Sequence, residues 1–392
     1  MNPKSRLRHH GTGAEAAVRE MFGTVDIEVG GSEPHDLQVH DPRFFRRLLR
    51  DESLGLGESY VEGWWDAERV DEFMHRILAG GLHRRAARSP LVIAHAVAAK
   101  VVNPQRKRRS SREVRAHYER GLDLFRAMLD RRMVYSCGYW REARSLDEAQ
   151  EAKLELTCRK LGLREGMTLL DIGCGWGSLV RFAAERHGVR TVGITLSPEQ
   201  AEVARESCRG LPVEIRVQDY RDVDGRYDAV VSVGMFEHVG HRNYRRYMEI
   251  VDRVLAPQGV SVLHTIAGNA PTTGSDPWIR RYIFPGSNLP TLGQVVQASE
   301  GLFIVEDVHN FGPDYDRTLL EWERRFEAAW PRLRDRYDET FRRAWRYYLL
   351  ACAGAFRARF TQLFQVVLAR TGRPRGHLSE LEPRVGTLMP PR

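Results

Sequence analysis

The chain of 392 residues is long enough for two domains of ordinary size, and it can bury a substantial core without disulfide bonds. It carries 60 Lys and Arg residues against 52 Asp and Glu residues, a formal net charge of +8, which is too mild an excess for a histone-like basic tail. Hydrophobic residues make up 42% and charged residues 29%, a globular composition that excludes wholesale disorder.

No segment of the sequence is typical of a bilayer-spanning helix. The longest nearly apolar stretch, residues 91–102, contains His95 and Lys100 and is shorter than the ~20 residues that a span requires. The N-terminal residues MNPKSRLRHHG have no apolar core, so we expect no signal peptide and a cytoplasmic protein, soluble or peripheral at the inner face of the membrane. The five cysteines show no C-x-x-C spacing, which predicts reduced thiols and no metal site.

The first part of the chain is predicted to form a smaller, mainly helical domain. Residues 36–100 carry mostly helical patterns, such as the paired apolar residues of DPRFFRRLLR. The basic, polar stretch 103–115 interrupts these patterns. We therefore predict a domain boundary near residue 110, with one domain at 1–110 and a second at 111–392.

Strands and helices alternate through the second domain. The strand candidates are short, β-branched segments: TLLDIG, TVGITL, VEIRVQD, YDAVVSVG and VSVLHTI. Helices are expected at about 111–130, 146–161, 176–187, 198–208 and 243–255. This spacing is typical of a doubly wound α/β fold with a parallel sheet. The last part, 316–370, is predicted to be strongly helical.

A glycine-rich turn follows the first strand of this domain, with Gly173, Gly175 and Gly177 after Asp171. Glycines allow a tight turn and a close approach of a ligand to the backbone, and the next helix offers free N–H groups. The spacing departs from the G-x-G-x-x-G pattern of dinucleotide sites, and no P-loop lysine follows. The turn instead resembles the first motif of class I S-adenosylmethionine methyltransferases; the simpler alternative is a tight βα turn.

The ends of the next two strands are further candidate cofactor contacts. The second strand ends without the acid that usually holds ribose hydroxyls, and Ser197 and Gln200 are predicted to form a capping box. This strand end can cap a helix and also line the cofactor pocket. After the third strand, Asp219 and Tyr220 lie where such folds contact adenine, although an Asp at a strand end is often only a turn residue.

Several stretches of the chain carry a more specific resemblance. They are YSCGYW, LLDIGCGWGSL, VGITLSPEQ, QDYRD, VSVGMFEHVG, VLHTIAG, YIFPG, HNFGPDYDRTLLEW and ACAGAFRAR, in order between about residues 115 and 360. Together they resemble the cyclopropane-fatty-acyl-phospholipid synthases and their mycolic acid cyclopropane synthase relatives. SLGLGESYVEGWWD is similar to the N-terminal lipid-associated module of that family. The resemblance implies a Rossmann-like class I methyltransferase fold with a smaller N-terminal domain.

The resemblance also implies a reaction and its cofactors. The methyl group of S-adenosylmethionine would be transferred to the cis double bond of a phospholipid acyl chain, and bicarbonate would remove a proton as the cyclopropane ring closes. The groups that would hold bicarbonate are Cys137, Glu237, His264, Tyr315 and the backbone of Ile266. Contacts to S-adenosylmethionine would come from Tyr135, Ser136, Gly173, Gly175, Thr195, Leu196, Ser197, Gln200, Asp219 and Tyr220.

The residue types at the candidate bicarbonate site suit an anion. Cys, His and Tyr donate hydrogen bonds, and Glu accepts the hydrogen of bicarbonate. Each also has a simpler explanation on its own. A buried cysteine such as Cys137 usually acts as a small hydrophobic side chain. His264 is predicted to end the strand 260–263, and a histidine in that position is often a core residue. Tyr315 lies in a polar segment, where it could be a surface residue.

The reaction makes further demands on the pocket. An alkene is a weak nucleophile, so the methyl donor must be held in line in a dry site. The product of methyl transfer is a carbocation, which aromatic faces stabilise, and the candidates for this are Tyr139, Trp140 and Phe236. Leu122 stands where the family commonly has Asn, so a polar contact near the cofactor is expected to be lost.

The implied substrate makes a phospholipid bilayer the expected partner. The basic run 106–109 is predicted to attract an anionic surface, and Tyr60, Trp64 and Trp65 are predicted to enter the interface. A solvated linker is the alternative for the basic run. The resemblance further implies a homodimer formed through the N-terminal module.

Three alternatives compete with this interpretation. A related fatty-acyl methyltransferase would convert the same carbocation into a methyl-branched or methylene chain. A nucleic-acid methyltransferase is disfavoured because the sequence has neither an N/D-P-P-Y motif nor a Pro-Cys nucleophile motif, and we expect no nucleic acid partner. A lipid-binding protein with a relic cofactor fold is disfavoured by the intact set of Cys137, Glu237, His264 and Tyr315.

Overall fold

The computed structural model describes residues 13–82, 121–272 and 274–372. Its helices are α1 Gly13–Gly23, α2 Arg43–Val61, α3 Val70–Ala79, α4 Leu122–Met128, α5 Leu146–Leu161, α6 Ser178–His187, α7 Pro198–Ser207, α8 Tyr244–Val254, α9 Pro277–Tyr282, α10 Leu292–Ser299, α11 Pro313–Leu333 and α12 Glu339–Arg357. Its strands are β1 Gln38–Val39, β2 Trp65–Asp66, β3 Thr168–Ile172, β4 Arg190–Thr195, β5 Val213–Val217, β6 Tyr227–Val233, β7 Leu255–Gly268, β8 Ile304–Asn310 and β9 Thr361–Ala369.

These residues form two compact units that are interleaved along the chain. The first unit contains residues 13–82, Asp276–Pro285 and Glu327–Phe360. The second contains the described parts of Gly121–Ser275, Gly286–Phe326 and 361–372. The predicted boundary at residue 110 lies outside the described residues. The domains predicted at 1–110 and 111–392 differ from these units, because two segments of the second predicted domain pack with the N-terminal residues.

The first unit is held together by buried aromatic side chains. Trp65 is fully buried, with its ring centroid 5.0 Å from that of Tyr60 and 5.0 Å from that of Phe73. Its Nε1 donates to the carbonyl of Leu56 at 3.0 Å. The prediction that Tyr60 and Trp65 enter a membrane interface is therefore wrong, because both side chains are core residues of this unit. Only Trp64 of that cluster is partly exposed.

The second unit contains a seven-stranded sheet in the order β5-β4-β3-β6-β7-β9-β8. Strands β3 to β7 are parallel. Helices α6, α7 and α8 lie in three of the connections between them, and a 3-10 turn lies between β5 and β6. The predicted parallel sheet is correct for these strands only, because β9 pairs antiparallel with both β7 and β8. The strand TLLDI is apolar almost throughout and buried on both faces, as the centre of such a sheet requires.

Most elements of this unit lie close to their predicted positions. Helix α5 matches the predicted 146–161: Ser145 accepts the N–H of Glu148 at its start, and Gly162 ends it in the left-handed region. A helix is predicted at 111–130, and residues 111–120 lie outside the described residues. Helix α4 begins at Leu122 and ends at Met128. The predicted helical tail is interrupted, because the apolar run TQLFQVVLA forms β9 instead.

The described residues show two further features that bear on function. Across residues 13–82, 121–272 and 274–372, the structure has no helix of the length and apolarity needed to cross a bilayer. The thiols of all five cysteines are unpaired.

Candidate active site

The glycine-rich turn joins β3 to α6 at the carboxyl ends of the parallel strands. Gly173, Gly175 and Gly177 have φ angles of 92°, 53° and 83°, in the left-handed region that favours glycine. The N–H of Gly173 donates to the carbonyl of Ile194 at 3.0 Å, which fixes the turn against β4. A Cβ on Gly173 would lie 2.8 Å from Cβ of Met235, whereas a Cβ on Gly175 would meet nothing within 4 Å. The turn thus presents backbone that a ligand can approach at Gly175.

The end of β4 forms a linked set of hydrogen bonds. Ser197 Oγ accepts the N–H of Gln200 at 3.2 Å and caps α7. The predicted capping box is only half formed, because Gln200 Oε1 accepts from the hydroxyl of Thr195 at 2.9 Å instead of from the N–H of Ser197. That N–H donates to Thr195 Oγ1 at 3.2 Å. The neighbouring Leu196 side chain is 71% exposed, so an apolar surface lies beside the turn.

Asp219 and Tyr220 follow β5 in a short 3-10 turn. The Asp219 carboxylate accepts the N–H of Arg221 at 2.9 Å and pairs with its guanidinium at 2.6 Å. The side-chain hydrogen bond from Arg221 lowers the pKa of Asp219, so this carboxylate is ionised at neutral pH. The ring of Tyr220 lies 5.6 Å from that of Tyr247. A hydrogen-bond donor of a cofactor would share the carboxylate with Arg221.

The segment YSCGYW lies between α4 and α5, and α5 holds it in place. The ring centroids of Tyr135 and Trp322 are 5.1 Å apart. Ser136 is buried; its carbonyl accepts from Gln150 Nε2 at 2.7 Å, and its hydroxyl lies 3.0 Å from Lys153 Nζ. Burial lowers the pKa of Lys153 to about 8, so the amine is mostly charged at neutral pH. Gln150 and Lys153 therefore position a predicted cofactor contact.

Cys137 is fully buried beside α11. Its Sγ donates to the carbonyl of Gly138 at 3.1 Å and lies 3.8 Å from Thr318 Oγ1. Burial raises the pKa of the thiol well above its usual value, so Cys137 is a neutral hydrogen-bond donor. Thr318 also accepts the N–H of Gly138 at 3.1 Å and Trp140 Nε1 at 2.9 Å. One hydroxyl thus fixes the loop that carries the thiol.

Glu237 lies in a 3-10 turn after β6, and its side chain reaches β7. Its Oε1 accepts the N–H of Ile266 at 2.7 Å. Its Oε2 is buried and makes no hydrogen bond within the part of the chain that the structure describes. Burial raises the pKa of Glu237 to about 7, against the opposing effect of the Ile266 N–H. The N–H of Ile266 is thus occupied by Glu237, and its role in the structure is to orient that carboxyl group.

His264 lies within β7, which continues to Gly268, rather than at the end of a strand after residue 263. Its Nδ1 is 3.2 Å from Gln365 Nε2 on β9. Its Nε2 is buried and has no hydrogen-bond partner among the described residues. Burial lowers the pKa of His264 well below its usual value, so the imidazole is neutral. Residues two apart on a strand share a face, which places His264 on the same face of β7 as Ile266.

Tyr315 lies in the first turn of α11 and is buried, so it is not the surface residue that its polar segment allowed. The same helix carries Thr318, which holds the Cys137 loop. Phe311, just before this helix, has its ring centroid 5.5 Å from that of His264 and 5.7 Å from that of Tyr139. The structure therefore brings His264 of β7 and Tyr139 of the Cys137 loop to the same aromatic ring.

Two of the three aromatic candidates are engaged elsewhere. Phe236 is fully buried and stacks on Tyr244 with ring centroids 4.4 Å apart. The ring of Trp140 carries the guanidinium of Arg317 at 4.0 Å from its centroid. Each of these contacts occupies one face of a ring, which leaves less of the ring for a carbocation. Tyr139 is only partly buried and remains a candidate.

Sequence reasoning missed the residues that support the site. Gln150, Lys153, Thr318 and Gln365 are all buried polar side chains bonded to predicted site residues or to their loop. Their signal in the sequence is a polar residue within an apolar face, as at Gln365 in TQLFQVVLA. Among the described residues, no group of three or more His, Cys, Asp or Glu side chains is arranged to bind a metal ion.

The residues present fit the two small molecules that the resemblance implies. The left-handed glycine turn with open backbone at Gly175 is suited to S-adenosylmethionine. The buried acceptor Glu237 Oε2 and the buried nitrogen His264 Nε2 are suited to a small oxyanion that carries one hydrogen.

Comparison with known proteins identifies the family. The family model described as mycolic acid cyclopropane synthetase matches residues 105–366. The chain is 49% identical over 353 residues to the cyclopropane-fatty-acyl-phospholipid synthase of Escherichia coli (strain K12), covering 90% of this chain and 92% of that protein. It is 33% identical to the tuberculostearic acid methyltransferase UfaA1 of Mycobacterium tuberculosis, covering 88% of this chain and 86% of that protein.

Solved structures give the same result. The cyclopropane synthase MmaA2 from Mycobacterium tuberculosis is 33% identical with a TM-score of 0.61, covering 67% of this chain and 99% of that one. The mycolic acid cyclopropane synthase CmaA1, solved in complex with SAH and CTAB, is 33% identical with a TM-score of 0.61, covering 66% and 98%. The predicted class I methyltransferase fold is confirmed. The chain belongs to the cyclopropane-fatty-acyl-phospholipid synthase family of S-adenosylmethionine-dependent methyltransferases.

Proposed function

We propose that this enzyme methylates the cis double bond of unsaturated phospholipid acyl chains and closes a cyclopropane ring, with bicarbonate as the base. The supporting observation is the pair of buried polar atoms Glu237 Oε2 and His264 Nε2, which make no hydrogen bond among the described residues. A buried polar atom without a partner costs about 1–3 kcal/mol. Bicarbonate carries both an O–H donor and oxyanion acceptors, so it offers a partner to each kind of atom.

The cofactor residues have a positioning task in this proposal. When bound, S-adenosylmethionine supplies an electrophilic methyl group. The glycine turn, Tyr135, Ser136 and residues 195–200 would hold the cofactor, and Asp219 with Tyr220 would contact its adenosine end. Lys153 and Gln150 keep Ser136 fixed. A fixed, dry arrangement favours attack by a weak nucleophile such as an alkene.

The bicarbonate residues would act mainly as neutral hydrogen-bonding groups. Cys137 and His264 are uncharged because burial raises the pKa of the thiol and lowers the pKa of the imidazole. The thiol hydrogen, which the structure directs to the Gly138 carbonyl, would turn to bicarbonate when the ion binds. Glu237 accepts the hydrogen of bicarbonate through Oε2 while the N–H of Ile266 holds Oε1. Tyr315 would donate from α11. Bicarbonate fixed in this way can accept a proton from the new methyl group.

The aromatic residues near this site would shelter the carbocation. Tyr139 is the candidate with a partly free surface, and Phe311 lies between it and His264. Aromatic faces attract a cation without offering it a nucleophile such as water.

We also propose that the enzyme acts as a homodimer at the inner face of the cytoplasmic membrane, attracted by anionic lipid. The substrate chains lie in the bilayer, so the enzyme must reach them there. The basic run 106–109, which lies outside the described residues, supports the electrostatic part of the proposal. Trp64 adds a partly exposed aromatic ring between Arg43 and Arg47, whose guanidinium groups lie 4.5 and 4.8 Å from its centroid.

The direct test is lipid analysis in a bacterium that lacks cyclopropane lipids of its own. The full chain is expressed, and acyl chains are analysed by gas chromatography–mass spectrometry with chemistry that locates double bonds. The expected result is a gain of CH2 with loss of the double bond and a cyclopropane fragmentation pattern. A methyl-branched chain, or one that keeps a double bond, would show that the enzyme catalyses the related fatty-acyl methyl transfer and not cyclopropanation.

Matched variants test the bicarbonate site. Glu237→Gln and Cys137→Ser keep side-chain size, and we expect Glu237→Gln to lose ring formation and Cys137→Ser, which keeps a neutral donor, to lower it, while both bind S-adenosylmethionine normally in calorimetry. The controls are Glu249→Gln, a partly exposed acid on α8, and Cys352→Ser, a thiol of the other unit. Full ring formation by Glu237→Gln would refute the proposed role of bicarbonate in this chain.

A further inference from the structure

A buried chain of hydrogen bonds leads from α5 across β9 to His264. The Thr157 hydroxyl donates to the carbonyl of Lys153 at 2.8 Å. Gln365 Nε2 donates to Thr157 Oγ1 at 3.1 Å and lies 3.2 Å from His264 Nδ1. Gln365 and His264 are direct partners in the register of β7 and β9. Thr157 and Gln365 are 0% exposed and His264 is 1% exposed, so water does not compete for these bonds.

The direction of each bond follows from the one before it. Thr157 has a single hydroxyl hydrogen, and the Lys153 carbonyl takes it, so Oγ1 faces Gln365 as an acceptor. The amide group of Gln365 must then turn its nitrogen toward Oγ1, and the second amide hydrogen points to His264 Nδ1. Within the amide group, this orientation leaves Oε1 as the atom without a partner among the described residues. The flipped amide would leave two buried N–H donors unpaired, which is the costlier arrangement.

The imidazole has only one ring proton to place, since burial keeps it neutral. With Nδ1 accepting from Gln365, that proton is on Nε2, the atom that is buried without a partner among the described residues. We propose that Gln365, itself oriented by Thr157, is a positioning residue that fixes His264 as the Nε2–H tautomer and so presents a donor to the bicarbonate ion. The role of this tautomer in binding bicarbonate rests on the proposed function, but the tautomer itself can be measured whether or not that function holds.

The tautomer matters because bicarbonate has a single hydrogen. Glu237 Oε2 can only accept when the carboxyl group is ionised, so it takes that hydrogen. The bicarbonate oxygen that faces His264 is then a bare oxyanion. An Nε2–H stabilises this oxygen, whereas an Nε2 lone pair would repel it. A wrong tautomer in a catalytic histidine is known to be costly even where the geometry is intact.

The first experiment reads the tautomer in the wild-type chain. The protein is labelled with 15N-histidine, and two-bond 1H–15N spectra separate protonated from unprotonated ring nitrogens. The chain has 14 histidines, so the His264 signals are assigned by their absence in His264→Asn. We expect an unprotonated Nδ1 and a protonated Nε2 in bicarbonate-free buffer. A protonated Nδ1 with a bare Nε2 would overturn the inference, whatever the enzyme makes from lipid.

The second experiment changes the partner of Nδ1. Gln365→Glu, studied at pH 9 so that the new carboxyl group is ionised, puts an acceptor in place of the donor. We expect Nδ1 to become protonated and kcat to fall about 10- to 100-fold, the range for partners that orient ligating histidines. KM for unsaturated vesicles and the calorimetric Kd for S-adenosylmethionine should stay within twofold. An unchanged His264 spectrum in this variant would refute the role of Gln365.

Two further variants separate positioning from folding. Gln362→Glu places the same change on the same strand, where Oε1 accepts from Asn310 Nδ2 at 3.1 Å, and should leave the His264 signals and kcat unchanged. Thr157→Ser keeps the hydroxyl and should retain the Nε2–H tautomer, whereas Thr157→Val frees the amide and should give mixed tautomers. Identical spectra for Thr157→Ser and Thr157→Val would show that Thr157 does not orient the Gln365 amide. If Gln365→Glu does not fold, the wild-type spectrum and the Thr157 pair still decide the question.

Discussion

Glu237→Gln should stabilise the folded protein at alkaline pH, although we expect it to abolish ring formation. Burial raises the pKa of Glu237 from 4.5 to about 7. Below pH 4.5 the carboxyl group is protonated in both folded and unfolded chains, so its titration has no effect on stability. As pH rises toward 7 the unfolded chain loses this proton first, and the folded state loses stability. At about 1.4 kcal/mol per pH unit, the full difference is about 3 kcal/mol above pH 7.

Glutamine does not titrate, so the variant lacks this loss. The free energy of unfolding of Glu237→Gln, minus that of wild type, should increase by up to about 3 kcal/mol between pH 4.5 and pH 8. The buried carboxyl of Asp171, whose pKa is also raised to about 7 by burial, is present in both proteins and cancels in the difference. The assay is urea unfolding followed by tryptophan fluorescence in bicarbonate-free buffers, with Glu249→Gln as the control. A difference that does not change with pH would refute the reasoning.

Four other outcomes follow from the site. Thr318→Val removes the hydroxyl that fixes the Cys137 loop and should cost about 1–3 kcal/mol in urea unfolding and lower methyl transfer, whereas Thr318→Ser should retain both. Gly175→Ala, whose Cβ would enter the open space proposed for the cofactor, should weaken calorimetric binding of S-adenosylmethionine, whereas Gly173→Ala, with φ of 92° and a Cβ 2.8 Å from Cβ of Met235, should also lower stability in urea unfolding; unchanged binding by Gly175→Ala would contradict this. Added salt should weaken sedimentation with anionic vesicles, and salt-insensitive binding would refute the electrostatic attraction. The 13C NMR signal of bound bicarbonate should change as pH rises through 7 in wild type but not in Glu237→Gln, because only in the wild type does this carboxyl group become the ionised acceptor of the bicarbonate hydrogen; a wild-type signal that does not change with pH would contradict this assignment.

Local sequence patterns predict the parallel part of the fold well. The strands β3 to β6 are short runs rich in β-branched residues with Gly or Asp nearby, and α5 has both a Ser cap and a terminal Gly, so each element can be located from its own residues. The strand TQLFQVVLA follows two long helices and has no turn signal that distinguishes it from a further helical segment. Its place between β7 and β8 is decided by pairing with residues about a hundred positions away, which local patterns cannot show.

The same limit explains the errors at the surface and at the site. A Trp-Trp pair after Gly63 has the composition of an interface, but Trp65 packs in the core of its unit while Trp64 stays partly exposed. The strand register decides that Gln365 faces His264, and the packing of α11 decides that Thr318 meets the Cys137 loop. The motifs identify which residues react, and the long-range contacts determine their protonation and orientation.

The charges around the candidate site must allow an anion to bind without destabilising a carbocation next to it. The proposed reaction needs an anion held close to a carbocation, and a fixed Arg or Lys at the anion would destabilise the carbocation. The structure instead offers donors made neutral by burial, since the thiol of Cys137 stays protonated and the imidazole of His264 stays uncharged. The charge of Lys153, which lies 3.0 Å from Ser136 Oγ, is opposed by the buried carboxyl group of Asp171. The guanidinium of Arg317 lies over the ring of Trp140, which forms a cation–π contact with it. Neutral donors of this kind can bind bicarbonate without a fixed positive charge, and the negative charges nearby are those of the base and of ionised Glu237, both of which favour the carbocation.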